Sequence, residues 1–528
     1  MIILVPILLF GLCNTAIARS LHGSVVQTSN GDIIGHSSDK YLNVVEYLGI
    51  PYAAPPVGEL RFEPPQTYKG GPKYVASHYV SLPSLCFSML RFWLPMNIDP
   101  YASDCPYVVG STIDYPNKTP QFDKIMSAFT SSNNNSHSED CLTLNIWSKQ
   151  TYNDTLKPVL VHFHGGRWTS GTTNTPFYHG ANFASTEDIV IVTATYRMNI
   201  FGFPGIPGKL SNLGLLDQRK AVEWVRDNIH AFGGDPSRIV MSGQSCGSAA
   251  ADYWAYSYRD DPIVAGLISH SGTADSFPAN SPELSAQHWE ELTSLMGCES
   301  GDVLGCMKRQ NATALLTASS KIKPPVASNA ARTQPAFQPT VDNMTVFSDY
   351  GLLSRTGRFA HLPYLAGHNH NEAGFYKISA WAKGSTLPES EWQAFNKETF
   401  TCPTDDAVMA RIRAGVPAWR FRYFADWNNT RLYPTSGAYH GVELNMIFGN
   451  SEAVTDIPES AYQVQLQKNM QRAWATFVAD SHHGLEKLGW PHFSLNGTTL
   501  IAFGERNNPD TRFIDPSLYN VGCWNSTA

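Results

Sequence analysis

The stretch Arg238-Ile239-Val240-Met241-Ser242-Gly243-Gln244-Ser245-Cys246-Gly247-Ser248-Ala249-Ala250-Ala251 decides the fold. Its first five residues form a short apolar run with β-branched members, the signature of a strand. Two more such runs precede it, Pro158–Phe163 and Ile189–Thr195. All three are continuous rather than alternating, which fits strands buried on both faces of a parallel sheet. Between the second and third lies Leu215–Phe232, where Ala221, Val222, Val225 and Ile229 recur at helical spacing. Gly233-Gly234-Asp235-Pro236 then stops the helix. Strand, helix, strand is the crossover unit of an α/β fold with a large, mostly parallel central sheet.

Within that frame, Gly243-Gln244-Ser245-Cys246-Gly247 is a Gly-x-Ser-x-Gly turn between a buried strand and a helix of small residues. Roughly 0.2 such patterns arise by chance in a chain of this composition, so the placement carries the inference. A sharp strand-to-helix turn lifts the serine hydroxyl above the sheet, and flanking glycines avoid Cβ clashes. The helix starting there presents unpaired N–H groups to negative charge. Ser245 is therefore the candidate nucleophile. Directly after the first strand comes His164-Gly165-Gly166-Arg167-Trp168, with Gly171 beyond. Acyl transfer creates an oxyanion that needs preorganised N–H donors. The N–H groups of Gly166, Arg167 and Cys246 are the candidates for that oxyanion hole.

The chain has 528 residues, 38 Lys and Arg against 45 Asp and Glu, and a formal net charge of −7. With 40 Gly and 34 Pro it has an ordinary globular composition, which excludes collagen, coiled coil and wholesale disorder. The mildly acidic balance, with no Lys/Arg-rich run, argues against nucleic acid as a partner. The apolar start, ending in Ala16-Ile17-Ala18, has the pattern of a signal peptide over 1–18, leaving 19–528 as one domain exported from the cell. No later run is long enough to span a bilayer, and the tail after Gly522 is polar, which argues against a C-terminal anchor. Export permits disulfides among Cys86, Cys105, Cys141, Cys246, Cys298, Cys306, Cys402 and Cys523, whose pairing the residues alone leave open. Asn-x-Ser/Thr sites at Asn117, Asn134, Asn153, Asn311, Asn343, Asn428, Asn496 and Asn525 are N-glycosylation candidates for the same compartment. Thr130–His137 and Pro324–Pro339 are expected to be loops. No metal-binding cluster and no cofactor are implied, and no oligomeric state is assigned.

Several stretches together resemble one family. They are Tyr47–Gly58 with Arg61-Phe62, Ser138–Asn145, Asn212–Gln218, Phe232–Pro236, the serine turn, Ser271-Gly272 and His440-Gly441. In this order and spacing the chain is similar to the type-B carboxylesterases and lipases, the cholinesterase-like branch of the α/β-hydrolase fold, and in detail to secreted fungal members. The resemblance implies a central sheet flanked by helices, with gorge or lid insertions. It implies a Ser-Glu-His triad in that chain order. Gly367–Gly374 matches the family's acidic motif, making Glu372 the acid, and Gly437–Glu443 matches its histidine motif, making His440 the base. Spacing alone could not single out His440 among 17 His. Ser271 and Glu443 would support His440 as buried polar neighbours. The resemblance also suggests disulfides Cys86–Cys141, Cys298–Cys306 and a third, cholinesterase-like Cys402–Cys523, with Cys86–Cys105 as an alternative for the first.

Two residues depart from the family pattern. Arg167 stands where a third small residue is common, and Cys246 where Ala is. Each keeps its backbone donor. Arg167 places a long cation near the pocket, where it would favour an anionic or polar substrate unless a salt bridge draws it away. Cys246 is expected to be a buried, inert thiol. The apolar run Phe87–Met96 falls where relatives carry a flap or gorge wall, so Phe92 and Trp93, with Trp168, are the candidate side chains lining the substrate gorge. The reading is a secreted serine carboxylic-ester hydrolase acting on a small-molecule or lipid ester. A triacylglycerol lipase or acyltransferase of the same fold is the alternative. A non-catalytic adhesion or scaffold relative is disfavoured because all three triad positions are filled.

Overall fold

The computed structural model describes residues 24–70, 73–75, 102–110, 112–130, 135–149, 155–325 and 333–523. The segment 1–18, Cys86, Phe92, Trp93 and the sites at Asn134, Asn153 and Asn525 lie outside them. Parts of the two expected loops, Thr130–His137 and Pro324–Pro339, do too.

Among the described residues, eleven strands form the main sheet. Across it they run Arg512–Ile514, Leu500–Phe503, Ala418–Tyr423, Tyr364–Asn369, Gly266–His270, Gly234–Gln244, Lys157–Phe163, Val190–Ala194, Thr143–Lys149, Val44–Pro51 and His36–Ser37. The seven from Leu500–Phe503 to Val190–Ala194 are mutually parallel, and the strands beyond them at either edge pair antiparallel. The three apolar runs read from the sequence occupy adjacent central positions. Their lack of alternation has a direct cause: successive side chains enter different cores. Val159, Val161, Val192, Ile239 and Met241 join one buried cluster, while Leu160, Ile191 and Val240 join another. A strand buried on both faces needs an apolar residue at every position.

The crossover helix spans Leu213–Asn228 and continues as a 3-10 turn, Ile229–Phe232. It packs Ala221, Val222, Trp224 and Val225 on the first cluster. Gly233 ends it in the left-handed conformation at φ 81°, where a residue without Cβ is at least strain.

Cys298–Cys306 and Cys402–Cys523 are bonded as the resemblance suggested. Cys141 is not bonded to Cys86; it pairs with Cys105. The backbone explains the correction. Asp104 bridges His137 in parallel, Asp104 N donates to Ser136 O, and Ser138 N donates to Asp104 O. This pairing brings the two sulfurs together, and a sulfur makes one disulfide. The bond closes a loop of sequence separation 36, worth about 4 kcal/mol in the chain-entropy model.

Arg411 is one of the largest wholly buried side chains. It donates to Asp252 Oδ1 and, at 3.1 Å, to Tyr256 Oη, and its guanidinium lies over the rings of Phe359 and Tyr364. Ala274 N donates to the other oxygen of Asp252 at 2.8 Å. Removing the cation strands a buried carboxylate, so Arg411→Met is expected to cost about 3–5 kcal/mol. A thermal melt should show a drop of several degrees, and adding Asp252→Leu should recover part of it. An unchanged midpoint would contradict this.

Candidate active site

The serine turn is built by contact. Ser245 has φ 59° and ψ −123°, a conformation ordinary turns avoid. A Cβ on Gly247 would lie 2.3 Å from Phe163 O, and one on Gly243 would lie 2.1 Å from Gly247 O. The strand end, the turn and the helix Cys246–Ser257 are thus too close for any side chain at either glycine. Ser245 N donates to His270 O at 2.8 Å, tying the turn to the next strand.

Glu372 and His440 arrive from elsewhere in the chain. Glu372 follows the strand Tyr364–Asn369 and caps the helix Ala373–Ala382. His440 lies in the loop before the short helix Leu444–Phe448. His440 Nδ1 is 2.5 Å from Glu372 Oε2. The other oxygen, Oε1, accepts from Ser271 Oγ and from Asn369 N, each at 2.6 Å. Glu372 is fully buried, and its hydrogen bonds replace the water it has lost. Ser271 is therefore a direct partner of the acid. Glu443 lies one step further out: it accepts from Asn369 Nδ2 at 2.5 Å and is 3.4 Å from His270 Nδ1. Trp474 Nε1 donates to His270 Nε2 at 3.1 Å, which leaves the His270 proton on Nδ1, toward Glu443.

With a proton on its Nδ1, His440 presents an acceptor at Nε2. Gln244 Nε2 donates to it at 3.0 Å, and Tyr376 Oη lies 3.5 Å away. The Tyr376 hydroxyl also hydrogen-bonds the Ser245 side chain. Burial pushes the Tyr376 phenol well up, so it stays a neutral hydroxyl. Among the described residues no hydrogen bond runs directly from Ser245 Oγ to His440; the two meet through Tyr376. Gln244 and Tyr376 are the site residues the sequence reading missed. Gln244 sits inside the serine motif itself, and Tyr376 lies one helical turn after the acid.

The glycine-rich turn approaches as closely as its composition allows. A Cβ on Gly165 would lie 2.8 Å from that of Ser245. Gly166, Arg167 and Trp168 all have positive φ. The N–H groups of Gly166 and Cys246 have no partner among the described residues, and that of Cys246 opens its helix. The Cys246 thiol is buried and free, and it accepts from Trp168 N at 3.3 Å and from the Arg167 backbone. Burial pushes it up to about 11 against those bonds, so it is protonated at neutral pH.

Trp168 does not line a gorge. It is 2 % exposed and packs its indole between Phe203 and Tyr253, with ring centroids 5.4 and 6.3 Å away. The left-handed turn sends this large apolar ring into the core, where its area is best buried. The Arg167 side chain instead faces outward, and its guanidinium donates to Thr333 O. With Tyr376, Phe277 and Phe395 it lines a cavity of about 150 Å³. No cluster able to hold a metal occurs among the described residues.

The sequence model of the Carboxylesterase family matches residues 22–398. The chain belongs to the carboxylesterase family. It is a carboxylic ester hydrolase of that family. It is 32% identical over 507 residues to a chlorogenic acid esterase of Aspergillus niger, covering 92% of this chain and 91% of the relative. It is 31% identical over 500 residues to secreted lipase 5 of Gibberella zeae, covering 88% and 87%. In structure this carboxylesterase matches a PNB esterase with a TM-score of 0.76 at 23% identity, over 96% of its length and 100% of the other's, and so shares its α/β-hydrolase fold. No helix among the described residues is long and apolar enough to cross a membrane.

Proposed function

We propose that this carboxylesterase works through an acyl-enzyme on Ser245, with His440 as general base and Glu372 as the acid that orients it. The observation that carries the reading is the pairing of His440 Nδ1 with Glu372 Oε2. It leaves the Nε2 lone pair facing the nucleophile's turn. As substrate enters, Ser245 Oγ turns from Tyr376 to His440. The imidazole takes its proton as Oγ attacks the ester carbonyl, and Glu372 stabilises the imidazolium. The N–H groups of Gly166 and Cys246 receive the oxyanion, with the Arg167 N–H shared between it and the thiol. The alcohol leaves with a proton from His440, which then activates water to release the acid. The group transferred comes from a small-molecule or lipid ester, as the relatives' names suggest. Water is the preferred acceptor, with lipase and acyltransferase action as variants of the same chemistry.

We further propose that the chain is exported, 1–18 being removed and 19–528 forming one catalytic domain. The three disulfides among the described residues and the exposure of Asn117, Asn311, Asn343, Asn428 and Asn496 support this. The mechanism is tested with a fluorophosphonate. Inactivation should be stoichiometric, and the adduct mass should map to the peptide containing Ser245. Full activity after exposure, or an adduct elsewhere, would overturn the assignment.

A further inference from the structure

The turn that carries the proposed oxyanion donors also forms the wall of a second cleft, of about 460 Å³. Arg167, Thr169, Ser170, Asn199, Gln334 and Lys383 are among the residues that line it. Two of its lining residues are cations and none is acidic. Lys383 caps the C-terminus of the same helix whose N-terminus is capped by Glu372. That helix therefore fixes the cleft's distance from the reacting groups.

Among the described residues neither cation is paired with a carboxylate. Arg167 spends one donor on the Thr333 carbonyl, which leaves the rest of a five-donor fork. Lys383 is lowered by burial and by the charge of Arg167, with no carboxylate acting on it. Two like charges held together without a counter-ion are costly, and the cost is offset when an anion lies between them. Asp275 and Glu398 line the smaller cavity, which shares Arg167 and Gln334 with this cleft, and do not line the cleft itself.

We infer that this cleft is a carboxylate subsite, and that the preferred substrates are esters carrying a second, unreacting carboxylate that docks between Arg167 and Lys383. The inference rests on the ester-hydrolase mechanism above. Arg167 would bind the carboxylate as a fork and Lys383 as a point charge.

The test uses two matched pairs of esters. One pair, p-nitrophenyl hydrogen glutarate and its methyl ester, carries the charge on the acyl side. The other, 4-acetoxybenzoate and its methyl ester, carries it on the alcohol side. The readout is the ratio of kcat/KM for the acid to that for its neutral partner. In one pair the wild-type ratio should fall about fivefold in Lys383→Gln and about tenfold or more in Arg167→Gln. Lys383→Arg should retain it, and 0.5 M salt should compress it in the wild type. A thermal melt reports that each variant is folded, and taking the ratio within a pair cancels any loss of oxyanion stabilisation common to the acid and its neutral partner. If the neutral esters turn over and both ratios stay within twofold in both glutamine variants, the subsite is overturned alone. If the wild type turns over none of the four esters, the ester-hydrolase mechanism falls and the subsite with it.

Discussion

Ser245→Ala is expected to lower kcat for neutral p-nitrophenyl esters by roughly 10⁵- to 10⁶-fold while leaving the thermal midpoint unchanged. The alanine keeps the Cβ, so the strained backbone at φ 59° meets no new clash. Only the hydroxyl is lost, and its partner is the Tyr376 hydroxyl, which in turn lies 3.5 Å from His440 Nε2. Residual turnover of about 10³-fold over water would reflect the oxyanion donors and substrate binding, which do not need the nucleophile. Pre-steady-state kinetics should lose the burst of p-nitrophenol. A variant retaining more than a few per cent of wild-type kcat would show that another group attacks the carbonyl.

Glu372→Gln should be nearly as damaging, at about 10⁴-fold in kcat, for a reason specific to these hydrogen bonds. Both partners of Glu372 Oε1, the Ser271 hydroxyl and the Asn369 N–H, are donors. A glutamine must therefore keep its carbonyl oxygen there and turn its NH₂ toward His440 Nδ1. That nitrogen then has to accept, which moves the imidazole proton to Nε2. A histidine protonated at Nε2 cannot take a proton from Ser245. Glu372→Asp, which preserves the carboxylate, should retain more activity than the near-isosteric amide. The opposite ranking would show that shape rather than proton placement matters at this position.

Much of this was legible in the sequence because it is local. The strand, the serine turn and the following helix lie within Arg238–Ala251, and the apolar runs around them already describe strands buried on both faces. The residues proposed as acid and base, Glu372 and His440, stood out only through motifs shared with relatives. His440 lies in a loop, and no periodicity brings it to Ser245. What remained hidden depends on the direction of side chains. Nothing in His164–Trp168 tells that three successive positive φ values turn Trp168 into the core and Arg167 outward. Gln244 and Tyr376 stand in plain sight beside recognised motifs. Their meeting at His440 Nε2 is a product of tertiary packing, which brings 244, 376 and 440 together. The partner of Cys141 was likewise decided by a single β-bridge at Asp104, too short to leave a pattern in the residues.

The Cys402–Cys523 bond encloses 121 residues of sequence separation in a covalent ring, and His440 lies inside it while Ser245 and Glu372 lie outside. The proposed base and the proposed nucleophile thus sit on opposite sides of an oxidative closure. A chain leaving the ribosome carries the residues of its serine turn within one short stretch, Arg238–Ala251. The segment holding the proposed base is closed covalently only when two distant thiols have been oxidised, so that closure follows the redox state of the place where the chain folds.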